Sequence, residues 1–257
     1  MRIGIFSMND HKELLTVKTK QIFEQMDLVA QANDMMDLVL DYRELLMEYS
    51  CAIKEIRTKL EILDTEMAYR FKRNPISAIH TRLKSQTSIL EKMTRKHVSI
   101  TRENVENTLN DIAGIRVICS YIDDIYHIAD ALIRQDDIEL VEVKDYIKKP
   151  KENGYRSLHL IVSVPVFLSD QKKIVKAEVQ IRTIAMDFWA SLEHGIKYKK
   201  NTHHSKELIA QLKECADVIA STDAKMQEIR MRMDGEKEEK SDLEKLYEKL
   251  KRIDMTF

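Results

Sequence analysis

Glycine, proline and cysteine are scarce in this chain: five, three and three among 257 residues. So few glycines and prolines exclude collagen-like and linker-rich architectures, and also the turn-dense layout of an all-β fold. Cys51, Cys119 and Cys215 lie far apart and are odd in number. That excludes a disulfide framework and a zinc-ligand cluster, and it points to the reducing cytoplasm. No stretch approaches the ~18 apolar residues of a membrane span, and the opening residues 1–6 are too short for the apolar core of a signal peptide. Neither sign of charge dominates. Forty-two Lys and Arg against 43 Asp and Glu leave −1, without the positive excess that a nucleic-acid coat or a membrane-surface binder uses. Glycine-rich phosphate loops, His-Glu-x-x-His and Gly-x-Ser-x-Gly are missing as well.

What remains is a chain of three textures. Residues 9–72 contain no Gly or Pro, and Leu38, Leu45, Tyr49, Ile53, Ile56, Leu60 and Leu63 recur at helical intervals. This predicts one or two helices ending at Pro75. Residues 115–182 turn β-branched, predicting strands at 115–120, 138–147, 158–166 and 174–182, with a helix at 122–134. From Thr183 the helical period returns with Ile184, Phe188, Leu192 and Ile196. The tail from 205 to 255 reads as two helices broken near Gly235, with the charged run 236–240 a solvated helix start. Helices, a four-stranded sheet and more helices define an α+β fold. The expected division is a helical region at 1–74, a core at 75–200 and C-terminal helices at 201–257.

Polar residues of three chemistries interrupt the middle region. In 174–182 a period of two sends Val175, Ala177, Val179 and Ile181 to one face and Lys176, Glu178, Gln180 and Arg182 to the other. An ordinary half-exposed strand alternates in the same way. Asp111, just ahead of the strand that holds Arg116, adds a second carboxylate. If the two strands are neighbours, Asp111 and Glu178 converge, and convergent carboxylates call for a divalent cation, magnesium with phosphate being the usual occupant. The segment 144–159 is a basic loop between two strands. Its Lys144, Lys148, Lys149, Lys151 and Arg156 suit phosphate, Gly154 permits a tight turn, and Tyr155 offers a face to a base. For Lys148 and Lys149 a solubilising surface loop fits equally well, and His159 alone fits a structural hydrogen-bonder. Around Arg82 and Lys84, with Ser88 and Lys92 beyond, a third cluster would suit a triphosphate. His203-His204 reads as a polar linker, and His194 as a brace.

These clusters, in this order, resemble the synthetase domain of the RelA/SpoT family. The likeness rests on Thr81-Arg82-Leu83-Lys84-Ser85, residues 111–116, residues 145–159 and Glu178-Val179-Gln180-Ile181-Arg182-Thr183, extended by residues 185–194. It covers roughly 75–200 and is closest to stand-alone small alarmone synthetases of the RelP type. The resemblance implies a mixed-sheet, nucleotidyltransferase-like core and transfer of the β,γ-diphosphate of ATP to the 3′-OH of GDP or GTP. It implies Mg2+ held by Asp111 and Glu178, with Glu178 also taking the hydroxyl proton. By the same likeness Arg82, Lys84, Ser88, Lys92 and Arg116 bind ATP. Lys144, Lys151, Asn153, Tyr155, His159 and Gln180 serve the acceptor, Tyr155 by stacking on guanine.

The family also implies a homotetramer built from terminal helices, where Leu243, Leu246, Leu250 and Ile253 form a short coiled-coil-like stripe. Packing on the chain's own core is the plainer account of that stripe. Neither a membrane nor a stable nucleic-acid partner is expected. Two other readings stay open at this point: a relative that pyrophosphorylates tRNA 3′ ends, and a non-catalytic nucleotide-binding module.

Overall fold

The computed structural model describes residues 8–199 and 206–235. The N-terminal run is a single helix, α1 (Met8–Phe71), 64 residues long and about 96 Å at 1.5 Å per residue. With neither Gly nor Pro inside it, nothing in the backbone ends it before the turn ahead of Pro75. Its Leu45, Tyr49, Ile53, Ile56, Leu60 and Leu63 are all buried, as their spacing predicts.

Five strands follow, interleaved with helices: β1 (Ile76–Leu83), α2 (Gln86–Arg95), α3 (Arg102–Thr108), β2 (Ala113–Cys119), α4 (Ile122–Ile133), β3 (Glu139–Asp145), β4 (Leu158–Phe167) and β5 (Lys172–Thr183). Helices α5 (Ile184–Lys199) and α6 (Lys206–Gly235) close the described chain. The sheet order is β1-β2-β5-β4-β3. Only β2 and β5 run parallel; the other three pairings are antiparallel. This is the expected α+β fold with a mixed sheet, but it has five strands where four were read. The extra one is β1. It lies at the sheet edge, and Ser77, His80, Thr81 and Arg82 break its apolar pattern, so the segment reads as polar coil.

One face of the sheet is dry. Ile115, Val117, Leu160, Val162, Ala177, Val179 and Ile181 join the buried residues of α1 and α4 in a single core. The other face is polar, and the strand register arranges it in rows. His80, Arg116, Gln180, His159 and Lys144 lie opposite one another across all five strands. The adjacent row runs Arg82, Gly114, Glu178, Ile161 and Glu142. The described residues contain no helix long and apolar enough to cross a membrane. The tail stripe at 243–253, the run 236–240 and His203-His204 lie outside the described residues.

Candidate active site

Glu178 sits near the middle of the polar face, largely buried, and both its oxygens are engaged. His159 Nδ1 lies 3.1 Å from Oε1, and Gln180 Nε2 donates to Oε2 at 2.9 Å. Desolvation, the largest influence, pushes its pKa up, and the charge of Asp111 adds to that. The hydrogen bonds from His159 and Gln180 and the charge of His159 outweigh both, so the carboxyl is held below its ordinary value and is ionised at neutral pH. Behind His159, the Tyr155 hydroxyl reaches Nε2 at 2.9 Å. Burial raises the pKa of that phenol, keeping its proton in place.

Asp111 precedes β2 by two residues, and Gly114, three residues on, stands opposite Glu178. The predicted neighbouring strands are therefore real, and the two carboxylates sense each other's charge. Asp111 is not bare: Lys84 Nζ donates to Oδ2 at 2.9 Å. Lys92 Nζ lies 2.9 Å from Oδ1, without the alignment of a hydrogen bond. Burial opposes ionisation of Asp111, yet the two lysines prevail and hold its carboxyl below the usual range. Lys92 is delivered by α2, whose start is capped by the Ser85 hydroxyl accepting from the Ser88 N–H at 3.3 Å. Ser88 serves that cap, its hydroxyl 2.9 Å from the Ser85 hydroxyl.

Arg82 and Arg116 flank a cleft of about 140 Å³ together with His80, Thr81, Gly114, Ile115 and Gln180. Gly114 makes room there, because a Cβ on it would meet Arg82 Cγ at 3.1 Å and Nε at 3.2 Å. Across the sheet, Lys144 pairs with Glu142 at 3.0 Å. Lys151 Nζ lies 4.6 Å from the centre of the Tyr146 ring and 4.9 Å from that of Tyr155. Asn153 donates to Glu193 on α5 at 3.0 Å and accepts from the Tyr155 N–H at 3.2 Å, so it fixes the loop to α5. Lys148 and Lys149 are exposed. Gly154, at φ +88°, passes so close to α6 that a Cβ would stand 2.4 Å from Ala216 Cβ.

Three side chains of this site were given no role from the sequence. Tyr146 meets Tyr155 and His159 edge-on, with ring centres 5.9 and 5.2 Å away. Trp189 lies 6.5 Å from Tyr155 and anchors α5 to α6 by donating to the Leu212 carbonyl at 3.0 Å. Asp187 sits 3.4 Å from Arg116 and 3.5 Å from Arg182. Only the period of β5, which put Arg182 on the Glu178 face, hinted at this group. His194 is exposed on α5.

A sheet face that carries two carboxylates, an arginine-walled cleft and a basic aromatic loop has the equipment of a nucleotide phosphotransferase. The family model described as "Region found in RelA / SpoT proteins" matches residues 81–203. GTP pyrophosphokinase YwaC of Bacillus subtilis (strain 168) is 45% identical over 210 residues, 81% of this chain and 100% of the relative. The crystal structure of small alarmone synthetase 2 from Bacillus subtilis superposes with a TM-score of 0.68 at 45% identity, covering 75% of this chain and 99% of that one. Small alarmone synthetase 1 from the same organism, bound to its product pppGpp, gives a TM-score of 0.68 at 36% identity over 74% and 97%. The chain belongs to the RelA/SpoT family, and its relatives at this level of identity are small alarmone synthetases.

Proposed function

We propose that the chain is a GTP diphosphokinase that moves the β,γ-diphosphate of ATP onto the 3′-OH of GDP or GTP. The 3′-oxygen forms a bond to the β-phosphorus, the α,β-bridging bond breaks, and AMP leaves. The observation that carries this reading is the ionised Glu178, held between His159 and Gln180, with an arginine cleft on one side and a basic aromatic loop on the other. In this reading Arg82 and Arg116 take the adenine between them, and Lys84 and Lys92 meet the triphosphate. Lys144, Lys151 and Asn153 serve the acceptor, and Tyr155 presents a face to guanine. Glu178 accepts the proton of the 3′-OH. Positioning and charge neutralisation are the bulk of such catalysis.

The residues also suit a magnesium ion. Asp111 and Glu178 supply hard oxygen donors from neighbouring strands and sense each other's charge, two carboxylates rather than a full protein cage. That is the habit of magnesium, which takes one or two carboxylates and completes its shell with water and phosphate. Asp111 and Glu178 would hold it, and when bound it would neutralise charge on the transferred diphosphate.

The relatives' names speak against a tRNA acceptor, and both carboxylates being in place speaks against a non-catalytic module. A homotetramer is the proposed assembly, supported by the exposed apolar line of α5. The cytoplasm, which holds the ATP and GTP pools, is the proposed compartment. In this scheme 75–200 carries catalysis, and the helices at 201–257 carry oligomerisation together with the outer line of α5.

Glu178→Gln is the direct test. It keeps the volume and the fold while removing the proton acceptor. AMP release from ATP and GDP should fall by about 10³-fold or more, with the melting temperature preserved. Near-parental AMP release would end the assignment.

A further inference from the structure

Arg182 is a charged side chain that the reaction scheme leaves without a task. It projects from β5 onto the polar face, yet only 2% of it is exposed. A cation this deep is costly to bury unless it is paired and hydrogen-bonded. Its NH2 donates to Gln180 Oε1 at 2.8 Å, its NH1 lies 3.5 Å from Asp187 Oδ1, and its guanidinium carbon sits 5.7 Å from the centre of the Tyr155 ring.

The direction of these bonds is forced. A guanidinium only donates, so the carbonyl end of Gln180 must face Arg182, and the amide nitrogen is left to face Glu178. With ionised Glu178 as a pure acceptor, His159 presents Nδ1–H to it, while its Nε2 is engaged by the Tyr155 hydroxyl at 2.9 Å. Donation thus runs inward to Glu178 from both ends. Turning the Gln180 amide by half a rotation would set its oxygen against a carboxylate oxygen. Arg182 opposes it from the other end, where the turned amide nitrogen would meet a guanidinium N–H. Its second arm reaches Asp187, which also holds Arg116 at 3.4 Å, and Arg116 lines the cleft together with Gln180.

We propose that Arg182 is a positioning residue whose forked guanidinium, steadied on its other arm by Asp187, locks the Gln180 amide and with it the Glu178 carboxylate. This rests on the reading that Glu178 takes the 3′-OH proton. The role belongs to geometry at the reacting centre, so it shows in kcat rather than in ATP binding.

Steady-state kinetics on Arg182→Met, Arg182→Lys, Gln180→Met and the Arg182→Met/Gln180→Met double variant test it. Arg182→Met should lower kcat about 10²-fold, the scale of a small misplacement of reacting groups, while leaving KM for ATP unchanged. Lysine keeps the charge but not the fork, so Arg182→Lys should also lose kcat; it carries the test if the methionine variant does not fold. In the Gln180→Met background, removing Arg182 should add no further loss, because its partner is already gone. A merely structural Arg182 would lower the melting temperature and leave the losses multiplicative. A folded Arg182 variant with parental kcat, or losses that multiply in the double variant, overturns the proposal. Glu178→Gln run alongside separates the two claims. An active Glu178→Gln defeats the reading of the site, whereas an inactive Glu178→Gln beside a fully active Arg182→Met defeats this inference alone.

Discussion

Tyr155 shows how much of a site one residue can organise. Its hydroxyl is committed to His159, its ring stands beside the ammonium of Lys151 and the guanidinium of Arg182, and the edges of Tyr146 and Trp189 fence it in. The flat ring offers a surface for a base, and the cations beside it place positive charge where phosphates follow. Tyr155→Ala should therefore raise KM for GDP by about tenfold or more, the worth of one base–aromatic stack, and change KM for ATP far less. Initial rates with each substrate varied in turn decide it; equal effects on both would remove the stacking role. At this scale the sequence was legible where residue type alone marks a candidate, and the strand register does bring Glu178, Arg82 and Arg116 onto one sheet face with Asp111 at its edge. The sequence was silent where chemistry depends on a partner. That Asp111 is shared between Lys84 and Lys92, or that Asn153 is half occupied by Glu193, follows from side-chain directions that spacing does not contain.

Elements were legible in proportion to their periodicity. The long period of α1 and the β-branched runs of β2, β4 and β5 announced themselves, whereas β1 did not, because an edge strand with a polar face needs no apolar alternation. The sequence also does not say that α6 returns to clamp the site from behind, and three contacts show that it does. Gly154 can lie against Ala216 only because it has no Cβ. Arg156 donates to the Ala216 carbonyl at 3.3 Å and to Asp217 at 2.9 Å. Asp223 accepts from the Thr183 hydroxyl at 2.6 Å, and that same hydroxyl accepts from the Met186 N–H at 3.1 Å where α5 begins.

Asp223 is buried with one hydrogen bond, and burial raises its pKa more than the Thr183 bond lowers it. A carboxyl whose folded pKa lies above its unfolded one binds more protons when folded, so its contribution to stability falls as pH rises. The loss begins above the unfolded value, near pH 4, and is complete once the pH exceeds the raised folded value. Asp223→Asn keeps an acceptor for Thr183 and removes the charge. Thermal melts should show the variant more stable than the parent at neutral pH, with the gap closing as the pH falls towards 4. A parent that is the more stable of the two at neutral pH would contradict this.

For the whole molecule the question is what the sheet, helices and tail leave uncovered. On α5, Ile184, Phe188, Leu192 and Ile196 are 53, 58, 55 and 39% exposed. At a spacing of four they form one apolar line along the helix, beside the stripe of Trp189 and Glu193, which face α6 and the loop. A line of four large apolar side chains is more than the scattered exposure of an ordinary surface, and a second copy of the chain is the occupant that the proposed tetramer supplies. The sequence displayed this period but not its partner, since periodicity marks an apolar face without saying which surface meets it. Phe188→Glu places a charge in the middle of that line, at a side chain 58% exposed. Light scattering at micromolar concentration should give a tetrameric mass for the parent and a smaller species for the variant, because desolvating an unpaired carboxylate at an interface opposes association. The adjoining Asp187 holds Arg116 and Arg182, so loss of assembly should also loosen the start of α5 and lower kcat. An unchanged mass for Phe188→Glu would remove α5 from the interface, and a monomeric parent would remove the tetramer altogether.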